Sequence, residues 1–291
     1  MALPVTPPRS LSPSKVAAFT DCALAFRFSV IDRLPEPPSP WATKGTLVHA
    51  ALQLLLFEPP ERRTLDTALA HLVTATAELR TDPEFTGLGL DAGAEAIFFA
   101  EAETLVRRYF ELEDPRDVRP IGVELLMEAE IGGVHVRGII DRLEVDSDGE
   151  LVVTDYKTGK APNERHERGR LVGVHVYALL CEKVLGRRPA RVQLLYLADP
   201  VAIICTPSER AVRVTELRMA AVWSAVLRAC AKDSFRPQPG RLCDFCSFQA
   251  WCPAFGGDPE EGRRMGAELR AEAKAEAVGQ LMLPVAMSAN R

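Results

Sequence analysis

Asp141, Asp155 and Lys157 fall in two short β-branched runs joined by a turn, a combination suited to hydrolysing a phosphodiester. Residues two apart on a strand share a face, so Asp155 and Lys157 point the same way, with Asp141 on the partner strand. Two carboxylates brought together repel unless a cation lies between them, and hard oxygen ligands favour Mg²⁺ or Mn²⁺. Such an ion polarises a phosphate and acidifies its bound water, while a nearby ammonium orients that water or stabilises developing charge. As a bare pattern Asp…Asp-x-Lys is common in hairpins, so its surroundings decide its meaning.

A second group is a set of thiols. Cys243-x-x-Cys246-x5-Cys252 presents two thiolates from one turn and a third after a short loop; three ligands need a fourth, and Cys22 is the one early cysteine. Four thiolates suit either a structural zinc or a 4Fe-4S cluster, and the spacing does not choose. Either centre would tie residue 22 to residues near 250, closing a long loop. Cys181, Cys205 and Cys230 lie in apolar runs and read as small buried residues.

The elements that must position these groups alternate in kind. A helix capped by Ser12 or Ser14 is expected over Lys15–Phe28, carrying Cys22, and another from Lys44-Gly45-Thr46 to Phe57. Leu65–Arg80 and Ala92–Phe110 have helical spacing and read as a helical insertion. From Ile121 to Lys157 the period becomes two, with strands at Val134–Asp141 and Leu151–Asp155 around the Asp146-Ser147-Asp148-Gly149 turn. A helix over Gly169–Leu185, strands at Arg191–Leu197 and Val201–Cys205, and a helix over Thr215–Ala231 follow. A charged helical segment and a short apolar tail end the chain. The expected class is α/β, a mixed central sheet flanked by helices. Its parts are an N-terminal helical region (1–58), the insertion (59–118), the α/β core (119–232), the cysteine-rich segment (233–257) and the charged tail (258–291).

With 291 residues and 47% apolar content, the chain is long enough to bury a substantial core. It contains no apolar run long enough to span a bilayer and no secretory leader, so a cytoplasmic setting away from membranes is expected. Seven cysteines, an odd number in a reducing compartment, read as thiols and metal ligands rather than a disulfide framework. A net charge of −5 argues against a generic nucleic-acid coat, although basic residues gathered on one face would still serve DNA.

Gly138-Ile139-Ile140-Asp141, then Val152-Val153-Thr154-Asp155-Tyr156-Lys157, then a helix with Tyr177 together resemble the RecB-like branch of the PD-(D/E)XK nuclease superfamily. The resemblance implies a restriction-endonuclease-like core. It assigns Asp141, Asp155, the Tyr156 carbonyl and His49, on the helix after Gly45, as ligands of Mg²⁺ or Mn²⁺. It also makes Lys157 the catalytic lysine and Tyr177 a contact to DNA or the water network. The family carries a glutamine where this chain has Gly173, and Arg170 stands one turn upstream as a substitute. Glu124 and Glu128 read as surface carboxylates able to join the metal shell. Ser14, Phe19, Cys22, Phe235-x-Pro237 and the C-terminal cysteines resemble the iron–sulfur clasp of RecB-like nucleases, including the CRISPR-associated adaptation nuclease and the AddB-type repair protein. That favours 4Fe-4S over zinc, although Ala23 stands where the family usually has proline.

The activity the resemblance implies is metal-dependent hydrolysis of DNA phosphodiester bonds, as an exonuclease on single-stranded ends, in recombination or repair. Thr158-Gly159-Lys160-Ala161 lacks the ending of a phosphate-binding loop, so any helicase would be a separate partner. Two other classes remain open on sequence: a catalytically inactive iron–sulfur DNA-binding or scaffold module of a helicase–nuclease complex, and a cluster-based redox or metal sensor.

Overall fold

The computed structural model describes residues 4–162 and 164–281, with only the helical backbone described for 164–172 and 273–281; the expected apolar tail lies outside the described residues. In chain order the elements are α1 (Pro13–Asp21), α2 (Ala23–Phe26), α3 (Pro40–Phe57), α4 (Leu65–Leu79), α5 (Pro83–Thr86), α6 (Ala92–Leu112), β1 (Pro120–Ile131), β2 (Val134–Val145), β3 (Leu151–Lys157), α7 (Glu164–Leu185), β4 (Arg191–Tyr196), β5 (Val201–Cys205), α8 (Glu209–Lys232) and α9 (Pro259–Leu281). The chain forms two compact units.

The larger unit comprises residues 9–14 and 37–223. Its five strands form one mixed sheet in the order β1-β2-β3-β4-β5. The β1–β2, β2–β3 and β4–β5 pairs are antiparallel and β3–β4 is parallel. A parallel pair needs a crossover connection, and α7 provides it. Leu47, Val48, Ala51, Leu52 and Leu55 of α3 pack with Ala68, Leu72, Ala75 and Leu79 of α4 and with Phe98, Ala102, Leu105, Val106 and Tyr109 of α6. These spacings are one face of each helix, and each buried large aliphatic contributes about 1.5–3 kcal/mol. The same core reaches Tyr156, Leu195 and Leu197. The helical insertion therefore braces α3 against the C-terminal ends of β3 and β4.

Among the described residues, the smaller unit comprises 4–8, 15–36 and 224–281. Its interior holds Arg27, which is buried and paired with Asp32 at 3.1 Å and Asp233 at 3.0 Å. The Phe28 ring lies 5.6 Å from Phe248 and 6.3 Å from Trp251.

Three boundaries differ from expectation. The helix expected over Lys15–Phe28 breaks at Cys22, whose backbone is extended (φ −159°, ψ 111°), and continues as α2 and a π-helical turn over Arg27–Asp32. Alternation of apolar residues carries no mark of a one-residue break. The next helix starts at Pro40 rather than Lys44. Ser39 accepts from the Ala42 amide as its cap, and proline in the first turn is favoured because no donor is lost there. The last core helix starts at Glu209, where the Ser208 hydroxyl accepts from the Ala211 amide.

Candidate active site

Three carboxylates stand in one row across the sheet. Glu124 lies between the Val123–Arg142 and Leu125–Ile140 pairs of β1 and β2, which sets it opposite Asp141. Asp141 lies one step beyond the Arg142–Thr154 pair of β2 and β3, which sets it opposite Asp155. Cross-strand partners share a face, so the register alone aligns the three acids. Glu124 holds its place with a left-handed backbone (φ 47°), next to a register shift between Pro120 and Gly122.

His49 arrives from α3 and joins this row. Its Nδ1 lies 3.4 Å from Glu124 Oε1 and 3.7 Å from Asp141 Oδ2, and its Nε2 lies 3.2 Å from the Tyr156 carbonyl. The Tyr156 amide donates to Asp141 Oδ2 at 2.7 Å, and Lys157 pairs with Asp155 Oδ2. Tyr177 on α7 lies near enough to Asp155 and Asp141 for their charges to act on its phenol. Gly138 explains how α7 comes so near: a Cβ there would meet Leu180 Cδ1 at 2.9 Å and Tyr177 Cε1 at 3.3 Å.

The electrostatics are those of a site crowded with negative charge. Burial and the neighbouring Asp155 charge push Asp141 up to about 7. Burial alone would lower His49, but the Glu124 hydrogen bond and the Asp141 charge outweigh it, and its pKa is raised. Burial and the adjacent Asp155 and Asp141 charges raise Tyr177 well above the usual phenol range. Ligand atoms of His49, Glu124 and Asp141 all lie within 4.8 Å of one another. One imidazole and hard carboxylate oxygens at this spacing fit a divalent cation, which would also relieve the repulsion that raises Asp141.

A polar layer behind the acids holds the strands. Arg142 is fully buried and points to the opposite face, where its guanidinium donates to Tyr156 Oη at 2.9 Å, Thr154 Oγ1 at 2.9 Å and Glu113 Oε2 at 2.8 Å. Its Nε lies 3.1 Å from Glu144, and Gln193 donates to Thr154 Oγ1 at 2.7 Å. Strands β2, β3 and β4 are thereby cross-linked one residue away from Asp141 and Asp155.

A family model described as the PD-(D/E)XK nuclease superfamily matches residues 10–253. The chain belongs to that superfamily and is a nuclease. This PD-(D/E)XK chain is 27% identical to the Gene 69 protein of Mycobacterium phage D29 over 266 residues, covering 84% of this chain and 96% of the phage protein. It is also 43% identical over 70 residues to one component of the ATP-dependent helicase/nuclease of Pelotomaculum thermopropionicum, a stretch that is 23% of this chain and 5% of that much longer protein. A crystal structure of a candidate exonuclease from Eubacterium rectale superposes with a TM-score of 0.52 at 13% identity, covering 82% of this chain and 87% of the other. That likeness is one of fold, and the core is restriction-endonuclease-like. Among the described residues, no helix is long and apolar enough to cross a membrane.

Of the residues singled out from the nuclease's sequence, His49, Asp141, Asp155, Tyr156, Lys157 and Tyr177 meet at one place. Glu124 joins them and Glu128 does not: Glu128 pairs instead with Arg137 at 3.3 Å on an exposed stretch of the sheet. The register is the available signal, since counting back from the Gly132-Gly133 turn sets Glu124 opposite Asp141. A Cβ at Gly173 would lie 4.0 Å from Pro13, and the Arg170 side chain lies outside the described residues.

Within the smaller unit, Cys22, Cys243, Cys246 and Cys252 all line one cavity of about 610 Å³. Backbone amides of Gln238 and Gly240 donate to the Cys22 and Cys243 sulfurs, each at 3.4 Å. Burial raises the Cys246 thiol, the Phe248 amide counters in part, and the other three cysteines raise it further. Cys181 and Cys230 are buried as expected, with burial pushing Cys181 up to about 12. Cys205 is only partly buried, its sulfur 3.8 Å from His175 Nε2, because β5 is the edge strand of the sheet.

Proposed function

We propose that this nuclease is a divalent-metal-dependent deoxyribonuclease acting on single-stranded or free DNA ends. The observation that carries the reading is the Glu124–Asp141–Asp155 row with His49 at its edge, a donor set suited to Mg²⁺ or Mn²⁺. His49, Glu124, Asp141, Asp155 and the Tyr156 carbonyl would hold one or two such ions, which when bound polarise the scissile phosphate and acidify the attacking water. Lys157, held against Asp155, orients that water and faces the charge developing on the phosphate. Tyr177 stays a neutral donor at neutral pH and positions Asp155 or the water network.

We assign to the thiol cavity a 4Fe-4S cluster held by Cys22, Cys243, Cys246 and Cys252, as the clasp resemblance implies. All four thiols line this one cavity, and amide donors aimed at cysteine sulfurs are a usual means of tuning such clusters. Recombination or repair is the setting we favour, with any helicase supplied separately. The matched stretch of a helicase/nuclease component supports that setting.

The test is cleavage of end-labelled linear and covalently circular DNA, single- and double-stranded, by anaerobically purified protein with Mg²⁺ or Mn²⁺. Degradation of linear single strands, abolished in Lys157→Ala, is the expected result. Intact DNA under every condition, despite tight binding, would replace this reading with a non-catalytic scaffold.

A further inference from the structure

We propose that Trp41 is a stacking platform for a base of the substrate strand; this rests on the nuclease reading above and specifies how the site takes single-stranded DNA. Trp41 is 75% exposed, an unusual position for the largest apolar side chain, and it lies on the same helix as His49. Trp41, Gly45 and His49 recur at four-residue intervals and so form one ridge of α3. At the far end of that ridge His49 meets the Tyr156 carbonyl. In the middle Gly45 comes so close to Thr158 that a Cβ would sit 3.2 Å from its hydroxyl. The ridge thus follows the end of β3, and Trp41 stands about 12 Å along the helix from His49 at 1.5 Å per residue.

The ring is held although it is exposed. Lys44 Nζ lies 4.9 Å from its centroid, and Lys44 is itself buried, 5.6 Å from the Phe98 centroid and paired with Glu101. Such cation–π contacts fix the ring orientation. Beside the ring opens a cavity of about 190 Å³ lined by Lys44, Thr104, Arg108 and Thr158. It offers one heterocyclic base an aromatic wall and the Thr104 and Thr158 hydroxyls for its edge, while Lys44 and Arg108 are taken up by Glu101 and the Ala198 carbonyl. Every base has a π-face, so stacking tolerates any sequence but requires the base to be unpaired. A single strand fed toward the acidic row satisfies both conditions.

The test compares wild type, Trp41→Ala and Trp41→Phe in binding of labelled oligothymidylate in Ca²⁺, which supports binding without turnover, and in steady-state cleavage in Mn²⁺. The same oligonucleotide with abasic positions is the control. Trp41→Ala should weaken binding about 5-fold or more and raise KM similarly with kcat unchanged, Trp41→Phe should restore most of it, and abasic DNA should bind both proteins alike. If wild type cuts DNA and Trp41→Ala matches it in Kd and KM, the stacking role is overturned while the nuclease reading stands. If wild type neither binds nor cuts, both fall.

Discussion

Glu124 and Asp141 face each other across β1 and β2, and His49 reaches both with the same ring nitrogen, at 3.4 and 3.7 Å. This contact gathers His49, Glu124 and Asp141 into a donor set spaced to hold a cation. Replacing Glu124 by Gln should weaken Mn²⁺ binding at least about ten-fold, the scale on which groups around metal ligands act. Glu128→Gln, four residues along the same strand, should leave it unchanged. Calorimetric titration of both variants checks the pair.

Asp141 gives the metal-free protein a pH-dependent weakness. Its folded-state pKa lies near 7 against an ordinary 3.8, because burial and Asp155 disfavour its charge. A raised carboxylate contributes stability that is complete below 3.8 and is lost as pH climbs through about 7. Asp141→Asn should remove that loss, so the variant should be the more stable by up to about 4 kcal/mol at neutral pH and not at pH 4. Urea unfolding at the two pH values in a chelator provides the measurement, and adding Mn²⁺ should stabilise wild type but not the variant.

Metal binding should release protons. His49 is raised by Glu124 and Asp141, and ligation requires its neutral form. Mn²⁺ titration near neutral pH should therefore give apparent enthalpies that differ between buffers of different ionisation enthalpy, and His49→Ala should lessen the difference.

Arg142 is the structural counterpart of the acids. Arg142→Ala leaves buried Glu144 and the part-buried Glu113 without their cation and frees Tyr156 and Thr154, so it should cost about 3–5 kcal/mol in thermal or urea unfolding. Arg142→Lys should recover only part, because one ammonium cannot replace the guanidinium fork.

The proposed 4Fe-4S cluster predicts colour. Anaerobically purified protein should absorb broadly in the visible and contain iron and inorganic sulfide. Cys252→Ser should lose both and unfold more readily, whereas Cys205→Ser should keep both.

What is legible in the chain follows from how far each signal reaches. Asp155-x-Lys157 and the Gly149 turn declare themselves locally, because strand periodicity and turn chemistry act over a few residues. Gly138 is legible as a motif but not as a cause; only the packing of Tyr177 and Leu180 shows what occupies its missing side chain. Glu124 reads as a surface acid until its strand is counted back from the Gly132-Gly133 turn, and its left-handed backbone has no mark in the sequence. Arg142 and Trp41 escape a sequence reading for opposite reasons. A fully buried arginine looks like a surface residue in sequence, and an exposed tryptophan looks like core. The break at Cys22 has no periodic signature, since a single extended residue leaves the apolar pattern on either side intact.

In the proposed function the acidic row holds the metal that cuts DNA. The most direct measurement is the rate of single-strand cleavage as Mn²⁺ is titrated into chelator-treated protein, for wild type and Asp141→Asn. A saturating metal dependence in wild type and no cleavage at any Mn²⁺ concentration in the variant is the predicted result. Cleavage without metal, or an Asp141→Asn protein that cuts like wild type, would contradict it.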